Sequence, residues 1–258
     1  MANAEAGPQA LVPVQGPAVQ ERMVTTSEQL PSARAFLDDC IEFKRRQTGA
    51  GRFFGALMQG KLTRDQLLSW AKDMYHFVGS GIPALTAWLA HAPTVVERES
   101  ARLVARNLAG ELGFLKEADH RDLYLQFLQG LGVSEAEARE HLPLPSTIGG
   151  STVLGHFCRS SFEEGLGSFG LGLELQVPGR PNGAKIILDA LQHYDIPKKA
   201  LEFYEIHVEA EEEHGDNAER ALAPFVQTAG QQTLVRHAFR WTVLATQGMQ
   251  RGFDAYLS

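Results

Sequence analysis

Cysteine is nearly absent from the chain: Cys40 and Cys158 are the only two among 258 residues, and they fall in separate helical patterns. That excludes a CxxC metal site and a disulfide framework, and it fits a reducing compartment. Cys158 reads as a small core residue in preference to a nucleophile. No apolar run approaches the eighteen or so residues that a bilayer span requires, so no membrane partner is expected. Residues 1–23 lack the basic start and apolar block of a signal peptide, and the expected location is the cytoplasm. Basic runs of five or more are missing too, and a net charge of -7 with a pI near 5.7 speaks against nucleic acid as a partner. Sustained alternation of apolar and polar residues is also missing, which leaves an all-α fold.

A composition of 44% hydrophobic and 21% charged residues is that of an ordinary globular core. Residues 1–30 are rich in Ala, Pro, Gln, Val and Gly without any period, and are expected to form a flexible tail ahead of a single helical domain over 31–258. The first helix is expected from Ser32 to the glycine break at 49–51, with Phe36, Cys40 and Phe43 on its buried face. Thr63 with Gln66, and Thr94 with Glu97, have the spacing of capping boxes that open helices. Gly79, Gly81 and Pro83 lie inside an apolar pattern and should kink it. Asp119 and Ser134 should cap two further helices. A glycine-laced apolar segment runs from 146 to 178, a short helix is expected over 184–194, Pro197 opens another, and 231–257 form the last. Short connections imply antiparallel neighbours in a bundle.

The most chemically loaded stretch is FYEIHVEAEEEH, residues 203–214. At about 100° per residue, His207, Glu211 and His214 share one helical face. A bundle helix normally fills that face with Leu, Ile or Val, because an unpaired ionisable group is costly to bury. A metal ion satisfies such a trio, and imidazole with carboxylate suits iron, manganese or zinc. A solvated face is the other reading, and it also serves for Glu205, Glu209, Glu212 and Glu213. Partner carboxylates should then appear inside apolar patterns elsewhere. Glu111 sits in NLAGELG and Glu174 in LGLELQVP, where both neighbours are leucine. His120, just after Asp119, can join Glu111 if the loop between them folds back.

These elements, together with GKLTRDQLLSWAKDMY at 60–75, resemble the heme-oxygenase-like diiron oxidases, relatives of the TenA thiaminases, the PqqC oxidase and the CADD-like proteins. The resemblance covers residues 53–256. It implies a heme-oxygenase-like bundle of about seven core helices in which Glu111, His120, Glu174, His207, Glu211 and His214 bind two Fe ions. The fifth position is commonly Asp in that family, so Glu211 reaches one methylene further. The implied function is O2-dependent oxidation of a small molecule derived from an amino or fatty acid, by N-oxygenation, oxidative decarboxylation or C–C cleavage in specialised biosynthesis. Manganese at one site, an external electron donor and a homodimer are further implications. Two Fe(II) ions and three carboxylates leave a net charge of about +1 at such a centre, and six protein ligands leave positions open for O2 and substrate. One subgroup consumes its own tyrosine in making para-aminobenzoate; here the aligned residue is Phe54, which disfavours that reaction, although Lys185 lies near that subgroup's functional lysine. A metal-independent hydrolase of the TenA type is the alternative, but Gln247 stands where its late glutamate is expected. A helical interaction protein using the acidic face of 205–213 is a third reading. Gly165, Gly167, Gly170 and Gly172 can either leave room for a substrate or permit tight helix packing, and Arg180 and Lys185 can either pair a substrate carboxylate or sit in solvent.

Overall fold

The computed structural model describes residues 30–47, 51–93, 98–115, 118–175, 177–180, 182–208 and 221–258. Among them every regular element is helical, and no helix is long and apolar enough to cross a membrane. The chain forms α1 (Ala33–Gln47), α2 (Arg52–Met58), α3 (Arg64–Val78), α4 (Gly81–Ala90), α5 (Arg98–Glu111), α6 (His120–Gly130), α7 (Glu135–Glu140) and α8 (Pro145–Cys158). Then come α9 (Phe162–Gly165), which runs on as a π-helix (Leu166–Leu173), and α10 (Gly183–Leu191). A 3-10 turn (Lys198–Leu201) leads into α11 at 202–208, and α12 (Ala229–Gly252) ends in a 3-10 turn (Phe253–Leu257).

The helix starts follow their side chains. Thr63 and Gln66 form the expected reciprocal box, Ser134 and Glu137 form another, and the Asp119 carboxylate accepts from the N–H groups of Arg121 and Asp122 at 2.9 and 3.3 Å. Each satisfies backbone donors that a first helical turn leaves open. The expected box at Thr94 and Glu97 lies outside the described residues, as do residues 1–29 of the expected tail and residues 49 and 50 of the glycine break. Gly79 and Gly81 do more than kink a helix, because α3 stops at Val78 and α4 begins anew at Gly81. Pro197 opens a 3-10 turn before the α-helix begins, and the segment 146–178 divides into α8, α9 and the π-helix.

Two apolar clusters form the interior. One gathers Phe53, Leu57, Trp70, Tyr124, Phe127, Phe203 and Phe253 from α2, α3, α6, α11 and the C-terminal turn. The other gathers Phe36, Leu85, Trp88, Phe162, Phe169 and Phe239 from α1, α4, α9, the π-helix and α12. Helix α12 joins them, with Val235, Phe239 and Val243 in the second and Met249 in the first. Within the first lies a fully buried carboxylate, Asp73, which accepts from the Leu144 N–H and the Thr147 hydroxyl, both at 2.9 Å. His141 Nε2 stands 3.6 Å from it and lies 3.4 Å from the Tyr256 hydroxyl. Burial holds the His141 pKa down while Asp73 pulls it back up, and burial with Asp73 raises that of Tyr256.

The glycines of the 146–178 segment serve helix packing. A Cβ on Gly165 would lie 2.2 Å from the Trp88 ring, one on Gly167 2.2 Å from the Val235 carbonyl, and one on Gly172 2.8 Å from Thr242. The π-helix therefore meets the α12 backbone at Gly167, while α9 lies directly against the Trp88 ring of α4. Gly167→Ala should cost about 3 kcal/mol, the upper part of the range for overpacking, because the obstructing atom is backbone and cannot rotate away. Chemical denaturation reads this directly, and a loss below about 1 kcal/mol would show that the helices part easily at that point.

Candidate metal centre

Glu111 closes α5, and the chain then reverses at once. Gly113 has φ 70°, its N–H donates to the Gly110 carbonyl at 2.8 Å, and the Phe114 N–H donates to that of Ala109 at 2.9 Å. This is a Schellman ending, which needs a residue without a Cβ at the left-handed position. A Cβ there would also come within 2.5 Å of the Asp119 nitrogen. The loop thus returns on top of Gly113, and Asp119 then caps α6 so that His120 stands beside Glu111.

His120 Nδ1 lies 3.0 Å from Glu111 Oε2, with the two side chains 10% and 20% exposed. Close as they are, this buried nitrogen has no hydrogen-bond partner, because the carboxylate is off the direction in which an N–H would point. Across from it stands His207 of α11, with ring centres 4.6 Å apart. His207 Nδ1 is 2.6 Å from the carbonyl of Phe203, one turn earlier. A carbonyl only accepts, so Nδ1 carries the proton and Nε2 is left with its lone pair. One donor atom each from Glu111, His120 and His207 lies within 4.8 Å of the others. Ligands bound about 2.1 Å from one ion fit inside that span. A buried histidine nitrogen without a hydrogen bond, next to a carboxylate and a second imidazole with its tautomer fixed, is a donor set that suits iron, manganese or zinc.

Glu174 follows the last π-helical residue, and its N–H closes the final wide turn on the Phe169 carbonyl at 3.2 Å. Its carboxylate is near enough to act on His207. Burial and the neighbouring His120 lower the His207 pKa, while the Phe203 carbonyl, Glu111 and Glu174 draw it back up. The structure therefore brings together Glu111, His120 and His207, with Glu174 in electrostatic range. Glu211 and His214 lie outside the described residues. The carboxylates come from elements rooted in the second apolar cluster, through Val104 of α5 and Leu171 and Leu175 around Glu174. The imidazoles come from the first, beside Leu123 and Tyr124 of α6 and Phe203 of α11. The centre sits on the seam.

Other sequence candidates fall into place. Lys185 binds Asp189 one turn further along α10, at 2.6 Å, on the surface. Phe54 packs against Phe53 and Phe253 in the core. Cys158 is fully buried and burial pushes its thiol up to about 12, so a thiolate there is scarce. Two contributions carried no local signal in sequence: the Phe203 carbonyl, which is backbone, and the π-helical turn that presents Glu174.

A structure of a CADD-like protein of unknown function from Nostoc punctiforme superposes with a TM-score of 0.68 at 15% identity, covering 88% of this chain and 99% of that one. A TenA homologue from Pseudomonas syringae gives 0.68 at 13%, over 88% and 93%. A domain of unknown function with a heme oxygenase-like fold from Shewanella denitrificans gives 0.61 at 15%, over 87% and 88%. The bundle is therefore a heme oxygenase-like fold. A comparison of the sequence with curated proteins gives no match. Residues 68–247 match the family model described as iron-containing redox enzyme.

Proposed function

Because the chain belongs to the family of iron-containing redox enzymes, we propose that it is a non-heme diiron enzyme that uses O2 to oxidise a small molecule. The ligands in this reading are Glu111, His120, Glu174, His207, Glu211 and His214. The observation that carries it is the convergence of Glu111, His120 and His207 within 4.8 Å, with no hydrogen bond to account for the buried His120 nitrogen. Bound iron supplies the electron-transfer chemistry that O2 requires. The protein residues prepare the place. Phe203 holds the His207 ring in one tautomer through its carbonyl, the Gly113 turn delivers His120, and the three glutamates offset cationic charge. Leu171, Leu173 and Leu175 around Glu174, with Phe203 beside the imidazoles, limit water at the centre.

Cys158 weighs against a cysteine-dependent TenA-type hydrolase, since its thiol is buried and held protonated. The test combines metal and cysteine. Anaerobic Fe(II) titration should reach up to two ions per chain, and O2 consumption should require them. Cys158→Ala should keep most of that consumption. Iron binding at background level, or an activity that survives iron removal and dies with Cys158→Ala, would replace the diiron reading by the hydrolase.

A further inference from the structure

The backbone around Glu174 is held from a distant helix. Lys44, in the last turn of α1, extends its ammonium into the end of the π-helix and donates to the carbonyls of Gly172 at 3.1 Å, Leu173 at 3.3 Å and Leu175 at 2.7 Å. These carbonyls bracket Glu174: two precede it and one follows. A helix end leaves carbonyls without intrahelical donors, and here the Lys44 ammonium supplies them. A cation at that end also meets the negative pole of the helix. Lys44 is part-buried, so these contacts are less screened than those of a surface lysine.

We infer that Lys44 is a positioning residue for the metal centre, one that fixes the peptide units on both sides of Glu174 and so sets where its carboxylate stands. The inference rests on the reading of Glu174 as a ligand. Glu174 has only its side-chain torsions with which to reach an ion once Gly172, Leu173 and Leu175 are pinned, and the pinning atom is 128 to 131 residues away in sequence. Freed of the ammonium, the three carbonyls would turn toward other donors. The peptide planes beside Glu174 would turn with them. A displacement of about an ångström at a ligand is costly in a site that needs defined geometry.

The test compares the wild-type full chain with Lys44→Met, which keeps the length of the stem and removes the donors, and Lys44→Arg, which keeps a cation with several N–H groups. Each is titrated anaerobically with Fe(II) and, separately, with Co(II), whose d–d absorption reports coordination geometry. Lys44→Met should bind the ion about tenfold or more weakly, the scale seen when groups that orient a ligand are removed, and should show an altered Co(II) band. Lys44→Arg should recover part of the affinity and of the wild-type band. Metal-free thermal unfolding is measured alongside. Wild-type affinity and an unchanged band in Lys44→Met would overturn the inference alone, as would equal losses in Lys44→Met and Lys44→Arg that merely follow a lowered midpoint. Should Lys44→Met fail to fold, Lys44→Gln is judged by the same two readouts. A wild type that binds neither ion overturns the metal reading and this inference together.

Discussion

His207→Ala is expected to abolish both iron binding and O2 consumption while the helical content stays that of the wild type. Among the described candidate ligands His207 is the imidazole whose free nitrogen is fixed by a backbone hydrogen bond, and His120 already faces Glu111 from the other side. Losing a ligand outright should exceed the roughly tenfold to hundredfold effect of losing a group that only orients one. The metal-free variant should be no less stable, since a desolvated imidazole has been removed from beside another. Inductively coupled plasma analysis after Fe(II) loading, an oxygen electrode and circular dichroism provide the three readouts. Iron retained at wild-type stoichiometry in a folded His207→Ala protein would remove His207 from the ligand set.

Asp73→Ala is expected to act on the fold itself. The carboxylate is fully buried and fastens α3 to the start of α8, through the Leu144 N–H and Thr147 hydroxyl, with His141 3.6 Å away. Its removal leaves those donors facing an apolar interior. Breaking a buried charged network of this kind costs about 3–5 kcal/mol. For a chain of this size, that is on the order of 10 °C in unfolding midpoint. Metal affinity per folded molecule should change little. A midpoint shift of only a degree or two would mean that water or a rearranged Thr147 replaces the carboxylate.

Much of this architecture can be read from the sequence because its determinants are local. Thr63, Asp119 and Ser134 lie two or three residues from the groups they cap, so their spacing is visible in the chain. Glu111 and Glu174 stand out as single charges among leucines and glycines, which is what a buried carboxylate looks like at the level of sequence. The rest is tertiary. A π-turn differs from an α-turn by a shift of one carbonyl, and here it is packing against Trp88 and Val235 that accompanies it; the glycines admit either outcome. Whether His120 reaches Glu111 depends on a left-handed Gly113 under Asp119. Gly79 and Gly81 could bend a helix or end it, and the break after Val78 goes with α3 and α4 each packing against α8. Lys44 has no local signature, since its acceptors belong to the far side of the chain.

The seam between the two apolar clusters has a bearing on cooperativity. Each cluster has its own aromatic contacts, and α12 is an apolar bridge between them. An ion held, as proposed, by Glu111 from one side and by His120 and His207 from the other would be a second bridge, a reversible cross-link. Such a cross-link exists only in the folded state, and at a metal concentration a hundred times its dissociation constant it would add about 2.7 kcal/mol to folding. The added stability resists separation of one cluster from the other more than disruption within either. Iron supply would then decide how far the two halves melt as one.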